Sequence, residues 1–239
     1  MTLLIEKDFG TPKVKADKSV TLEIDGSPIT VPEGTSVMRA AAEAGVMIPK
    51  LCASDNLEAF GSCRLCVCKI EGKRGTPASC TTPVENGMHV TTKDEQITRI
   101  RKGVMELYLS DHPIDAAAQP GGEKSEFFKM VDAVGVTSVR YGLAGDNHFD
   151  TEIDDSNPYF VFDESKCIVC SRCVRACDEV QGKGVLSMTD RGITTSVLAG
   201  TGNWDESECD GCGECVQLCP TGAIVEKPYQ DLLQINKID

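Results

Sequence analysis

Aromatic side chains are scarce, 5% of 239 residues with a single tryptophan, so a large aromatic core is excluded. Small domains with thin cores rely on cross-links or metals to stay folded. No apolar run approaches the roughly 20 residues that span a bilayer. The opening stretch "MTLLIEKDFGTPKVK" has no apolar core followed by a cleavage site, and a cytoplasmic location is the expectation. Positive charge is short as well: the formal net charge of -13 excludes the basic face that a nucleic-acid partner requires. Glycine-rich nucleotide loops of the G-x-G-x-x-G or Walker type are missing, and so is any Ser/His/Asp or Cys/His catalytic arrangement. No substrate-converting site is expected on this chain.

Cysteine is what the chain has in excess, with thirteen copies. In a reducing compartment, clustered cysteines are metal ligands before they are disulfides. With 41% hydrophobic and 26% charged residues, the rest is ordinary for a soluble protein long enough for two compact domains.

After a tail at 1–18, "SVTLEIDGSPITVPEGT" alternates apolar and polar residues on both sides of Asp25-Gly26 and predicts a β-hairpin. "SVMRAAAEAG" predicts a short helix capped by Thr35 and ended by Gly45. "CRLCVCKIEG" and "MHVTT" predict further strands, and Asp94 caps a long helix with Ile97, Ile100, Val104 and Leu107 on one face. Residues 19–110 therefore read as a small mixed sheet packed with helices. Cys52, Cys63, Cys66 and Cys80 fall in its loops, spaced x10, x2 and x13. Four thiolates among loop amides suit a [2Fe-2S] cluster, and a four-cysteine zinc site fits the same set. Cys68 lies two residues past Cys66 and reads as a small buried side chain outside the site.

The second cysteine region repeats itself. "CIVCSRCVRAC" places Cys167, Cys170, Cys173 and Cys177, and "CDGCGECVQLCP" places Cys209, Cys212, Cys215 and Cys219 at the same spacing. Three thiolates spaced by two wrap three corners of a cubane from one tight turn, while the next turn aims the fourth elsewhere. The expected wiring is crossed: Cys167, Cys170, Cys173 and Cys219 hold one [4Fe-4S] cluster, and Cys177, Cys209, Cys212 and Cys215 the other. Asp178 stands where the second run has Pro220. Zinc leaves the regular triplets unexplained.

This order of cysteine runs resembles the N-terminal electron-transfer region of the large subunit of NAD-dependent, molybdenum- or tungsten-containing formate dehydrogenases. Similar modules occur in the diaphorase part of bidirectional NiFe hydrogenases and in the peripheral arm of respiratory complex I. "DDSNPYFVFDESKCIVCSRCVRACDEVQG", "AFGSCRLCVCKIEG", "GTPASCTTP" and the turn Asp190-Arg191-Gly192 look most like the formate dehydrogenases, and the likeness runs from about Val20 to Lys227. It implies an α+β architecture: a β-grasp [2Fe-2S] ferredoxin-like domain at 19–110, a connector at 111–160, a bacterial-type double [4Fe-4S] ferredoxin domain at 161–227 and a tail at 228–239. It also implies an electron-transfer subunit between a Mo/W pterin catalytic subunit and an FMN/NAD-binding iron-sulfur subunit. An equivalent subunit of a bidirectional hydrogenase is the nearest alternative. A zinc-holding adaptor and a free ferredoxin-like carrier are the others. The chain stops at Asp239, where such dehydrogenases continue into a pterin-binding region, so the resemblance implies either a separate catalytic chain or a fragment of a longer one.

The family usually carries His-Pro-x-Asp-Cys-x2-Cys-x5-Cys in the connector, holding one more [4Fe-4S] cluster. Here "DHPIDAAAQPGGEKSEF" keeps His112, Pro113 and Asp115 and puts Ala116, Gln119 and Ser125 at the cysteine positions. A lone imidazole cannot hold a cubane, so no metal is expected at His112, only hydrogen bonding beyond the helix end. His89 and His148 have no ligand companions either, and "DNHFDTEIDD" reads as a solvated acidic face.

Overall fold

The computed structural model describes residues 8–113, 124–141 and 151–228. It divides into two compact units, 1–104 and 105–239.

In the first unit, β1 (Ser19–Ile24) and β2 (Ser27–Pro32) pair antiparallel from Ser19 opposite Pro32 to Ile24 opposite Ser27. The two-residue loop has φ 49° at Asp25 and 82° at Gly26. Two successive left-handed residues make the turn whose twist matches that of the strands, which is why Asp-Gly is favoured there. Asp25 also works as a clasp: its carboxylate accepts from Thr92 N at 2.7 Å and Thr92 Oγ1 at 2.5 Å. Thr92 directly follows a third strand, His89–Thr91, which runs parallel to β1, and Lys69–Ile70 pairs antiparallel with it. In chain order these short strands are β3 (Lys69–Ile70) and β4 (His89–Thr91), and the sheet order is β2-β1-β4-β3.

One helix, α1 (Val37–Glu43), lies in the core with Leu22, Ile24, Val31 and Val90; its alanines, Ala40 and Ala41, are fully buried. Its cap is Ser36, whose Oγ accepts from Arg39 N at 3.0 Å, rather than Thr35. The expected long helix is α2 (Glu95–Leu109), and Asp94 Oδ1 does accept from Ile97 N at 2.7 Å. Its inward face differs from the expected one. Ile97, Arg101 and Met105 are buried at four-residue steps, whereas Leu107 is 56% exposed. The apolar stripe was misassigned because a buried arginine occupies the middle of it. The stretch Cys63–Cys68, expected as strand, is loop joined to Ala78 through a single bridge at Val67.

In the second unit, α3 (Glu126–Val134) arises inside the expected connector. Ser125 caps it, accepting from Phe128 N at 3.3 Å, and Gly135 ends it at φ 74°. Both signals stand in the sequence as a helix start and stop. Beyond it, β5 (Phe160–Phe162) pairs antiparallel with β8 (Ile224–Glu226), and β6 (Leu186–Thr189) forms a hairpin with β7 (Ser196–Ala199). Two short helices complete the unit: α4 (Arg172–Arg175) runs into a π-helical turn at Ala176–Val180, and α5 (Glu214–Leu218) follows the second cysteine run. Trp204 meets Phe160 edge-on at 4.8 Å and Phe162 at 6.2 Å, in a core shared with Cys173 and Cys215. Among the described residues, no helix is long and apolar enough to cross a membrane.

Candidate metal centres

In the first unit, Cys52, Cys63, Cys66 and Cys80 are all buried. Backbone pairing brings the last two together: Ser79 N and Ser79 Oγ donate to Cys66 O at 3.1 and 2.8 Å, and the Sγ atoms of Cys66 and Cys80 stand 3.4 Å apart. The amide of Cys63 points at Cys52 Sγ, 3.5 Å away. Hydrogen bonds from the Cys63 and Cys80 thiols hold Cys52 well below the usual thiol range, and the bond from Cys80 draws Cys66 down to about 7. The donors, Cys63 and Cys80, are pushed up by the same bonds. Four sulfurs thus converge, and depressed thiols of this kind are the chemistry a metal ion or cluster would use in place of their protons. Cys68 stands apart, with its Sγ 3.7 Å from Pro77 O and burial pushing it up to about 12.

Arg101 is a functional residue that sequence reasoning missed. Its guanidinium, on α2 and 8% exposed, donates from Nε to Leu65 O at 3.1 Å and from Nη2 to Val67 O at 2.8 Å. The two carbonyls flank Cys66, so one buried cation fixes the backbone on both sides of a site sulfur. A lone arginine within an amphipathic pattern reads as surface, and only its partners reveal the role.

In the second unit, the two cysteine runs fold alike. The second and fourth residues after the first cysteine are left-handed in both, Val169 and Ser171 at φ 53° and 64°, Gly211 and Gly213 at 70° and 79°. Glycine adopts this conformation freely; at β-branched Val169 it costs about 1–3 kcal/mol. Part of the return is visible, since Val169 N now points at Cys167 Sγ, 3.4 Å away. Gly211 is needed twice, because a Cβ there would also meet the Tyr159 ring at 2.4 Å.

Each run opens on a cavity. Cys167, Cys170, Cys173 and Cys219 line one, together with Phe162, Val197 and Ile224. Cys177, Cys209, Cys212 and Cys215 line the other, together with Phe160 and Trp204. The π-helical turn carries Cys177 to the second run's cavity, and the extended backbone after α5, with Cys219 at φ -72° and ψ 113°, turns Cys219 to the first run's. Burial pushes the thiols up at Cys167, at Cys173 and, to about 12, at Cys215; neighbouring cysteines add to the effect. Left as thiols they are neutral and poorly paired, whereas iron would accept them as charged ligands. Donors to sulfur are present besides Val169 N: Asn157 Nδ2 lies 3.7 Å from Cys209 Sγ. The donor set and its surroundings fit iron-sulfur clusters.

Of the cysteine positions emptied in the connector, Ala116 and Gln119 lie outside the described residues; His148 does too. Ser125 caps α3, and His112, 1% exposed, stacks on Phe127 at 4.5 Å with Phe128 edge-on at 5.5 Å. Its Nδ1 lies 3.1 Å from Pro113 O. Burial holds the imidazole at about 4, below its ordinary 6.5. The unfolded chain therefore binds the proton more readily, and folded stability falls as pH drops from 6.5 toward 4. About 3 kcal/mol is at stake across that window. Urea denaturation of the chain at pH 7.0 and pH 5.0 is expected to show about 2 kcal/mol of this loss, and His112→Phe to remove most of the difference. An unchanged pH dependence in that variant would show that other groups control the acid response.

Residues 17–95 match the pattern of a 2Fe-2S iron-sulfur cluster binding domain, and residues 157–225 that of the NADH-quinone oxidoreductase subunit 3, ferredoxin-like domain. A chain in the crystal structure of an NAD+-reducing [NiFe]-hydrogenase in the H2-reduced state superposes with a TM-score of 0.79 at 30% identity, covering 88% of both chains. Subunit HndD of the NADP-reducing hydrogenase of Solidesulfovibrio fructosivorans is 38% identical, and the alpha subunit of the NADPH-Fe(3+) oxidoreductase of Geobacter sulfurreducens is 35% identical, each over 88% of this chain. The chain spans 36% and 24% of the lengths of those two relatives. Tandem iron-sulfur domains define the class: an electron-transfer iron-sulfur chain of the kind built into NAD(P)-linked oxidoreductases. More narrowly, the chain belongs to the family of iron-sulfur chains that includes the matching chain of the NAD+-reducing hydrogenase.

Proposed function

We propose that the chain conducts single electrons between a Mo- or W-pterin formate dehydrogenase subunit and an FMN/NAD-binding iron-sulfur subunit. One [2Fe-2S] cluster is assigned to Cys52, Cys63, Cys66 and Cys80, one [4Fe-4S] cluster to Cys167, Cys170, Cys173 and Cys219, and another to Cys177, Cys209, Cys212 and Cys215. The β1-β2-α1 order with β4 parallel to β1 supports a β-grasp for the first domain. Bound at these cysteines, iron-sulfur clusters supply one-electron redox chemistry. The protein's own part is to hold the sulfurs, exclude water with Phe160, Phe162 and Trp204, and present amides to the sulfur atoms.

The observation that carries the reading is that each second-unit cavity is lined by three cysteines of one run and the fourth of the other. A hydrogenase partner is the second reading, favoured by the close match to the NAD+-reducing [NiFe]-hydrogenase chain. The choice of formate dehydrogenase rests on the sequence stretches around Cys63, Cys80 and Cys167.

Anaerobic purification of the native complex through a tag on this chain, followed by metal analysis, tests both readings. Molybdenum or tungsten with formate-dependent NAD reduction is the expected result, with about ten irons attributable to this chain. Nickel would transfer the assignment to a hydrogenase. A colourless chain with stoichiometric zinc would end the electron-transfer proposal.

A further inference from the structure

The segment that has lost its cysteines remains attached to the neighbouring cavity. Glu126, the first residue of α3, grips Arg172 with both carboxylate oxygens, Oε2 to Nη1 at 2.5 Å and Oε1 to Nη2 at 2.8 Å. The arginine side chain is 3% exposed and the carboxylate 34%. Arg172 stands between Cys170 and Cys173, and its Nη1 also reaches Leu218 O at 3.5 Å, one residue before Cys219. The next α3 residue, Phe127, donates its amide to Pro220 O at 2.9 Å, one residue after Cys219. Two adjacent residues of α3 thus hold the triplet loop and the fourth cysteine of the same cavity. The rear of this clamp is rigid, because Phe127 is fully buried against the His112 ring.

We propose that Glu126 is a positioning residue that sets the potential of the site formed by Cys167, Cys170, Cys173 and Cys219, acting through Arg172. The inference rests on the cluster assignment made above. A buried guanidinium beside a cluster stabilises its reduced, more negative state, and the Glu126 carboxylate offsets that charge. At the second cavity the ion pair is of another kind, Lys183 with Asp210 at 2.9 Å, both about half exposed and open to solvent screening. Because Arg172 and Phe127 contact the backbone on either side of Cys219, the effect of Glu126 is expected to fall mainly on the first run's site.

EPR-monitored redox titration of the full chain, loaded anaerobically with iron and sulfide, provides the test. The signal of the Cys167 site is identified as the one lost in Cys170→Ser. Glu126→Gln, nearly isosteric, is expected to favour reduction of that cluster roughly tenfold, about 59 mV for a one-electron couple. Arg172→Met is expected to move it the opposite way, and Arg172→Lys, which keeps the charge, to move it little. The other two centres should stay in place. Equal shifts at both [4Fe-4S] centres, or no shift in Glu126→Gln, would overturn the inference while leaving the cluster assignment intact. A wild-type chain without any [4Fe-4S] signal would overturn both.

Discussion

Replacing Cys219 with alanine is expected to empty the site of the first cysteine run, not that of the run in which Cys219 resides. About four of roughly ten irons should be lost, and the residual EPR spectrum of the reduced protein should match that of Cys170→Ala. Cys177→Ala should mirror it and match Cys212→Ala. The basis is placement: Cys219 lines the cavity of Cys167, Cys170 and Cys173, and Cys177 lines that of Cys209, Cys212 and Cys215. A side chain cannot serve a core on the far side of its own backbone. If Cys219→Ala instead reproduced the Cys212→Ala spectrum, each run would be shown to close its own cluster, and the crossed assignment would fall. Under the crossed assignment each half lends a sulfur to the other, so both variants should also unfold at lower temperature than the wild type. Metal binding to a site absent from the unfolded chain contributes directly to folding.

Arg101→Met should be nearly as disruptive in the first unit. Methionine fills the space but leaves Leu65 O and Val67 O, on residues 0% and 2% exposed, without their donors. Each buried acceptor left unpaired costs about 1–3 kcal/mol, so a total loss of about 2–6 kcal/mol is expected in chemical denaturation of the variant. Removing a cation beside Cys66 also makes reduction of the [2Fe-2S] centre harder, and its potential should fall. Arg101→Lys should restore the charge but only part of the stability, since an ammonium cannot present the planar fork that spans two carbonyls. Wild-type stability in Arg101→Met would show that water replaces the guanidinium and that the arginine is not a structural part of the site. The potential and the denaturation midpoint together separate the electrostatic role from the packing role.

Much of the first unit could be read along the chain. Asp25-Gly26 made the hairpin because the turn needs two left-handed residues, and Asp94 capped α2 because its carboxylate reaches the amide three residues on. The errors have physical causes. Ser36 displaced Thr35 as a cap since both have the hydroxyl and only the backbone path decides between them. The α2 face was misjudged at Leu107 because a periodic apolar stripe gives no hint that an arginine belongs inside it. Helix α3 lies where the sequence reads as connector, although Ser125 and Gly135 mark its ends as a cap and a left-handed stop.

The sequence by itself supplied twelve candidate donors, and in the duplicated runs their x2, x2 and x3 spacings are local properties of tight turns. Tertiary structure decided what surrounds them. Arg101 reaches carbonyls 36 and 34 residues away, and Glu126 holds an arginine 46 residues away. Ligand spacing is set by a few dihedral angles of one loop and so is written in consecutive residues. The burial of a charge beside that loop depends on which distant segment packs there, and no local pattern encodes it.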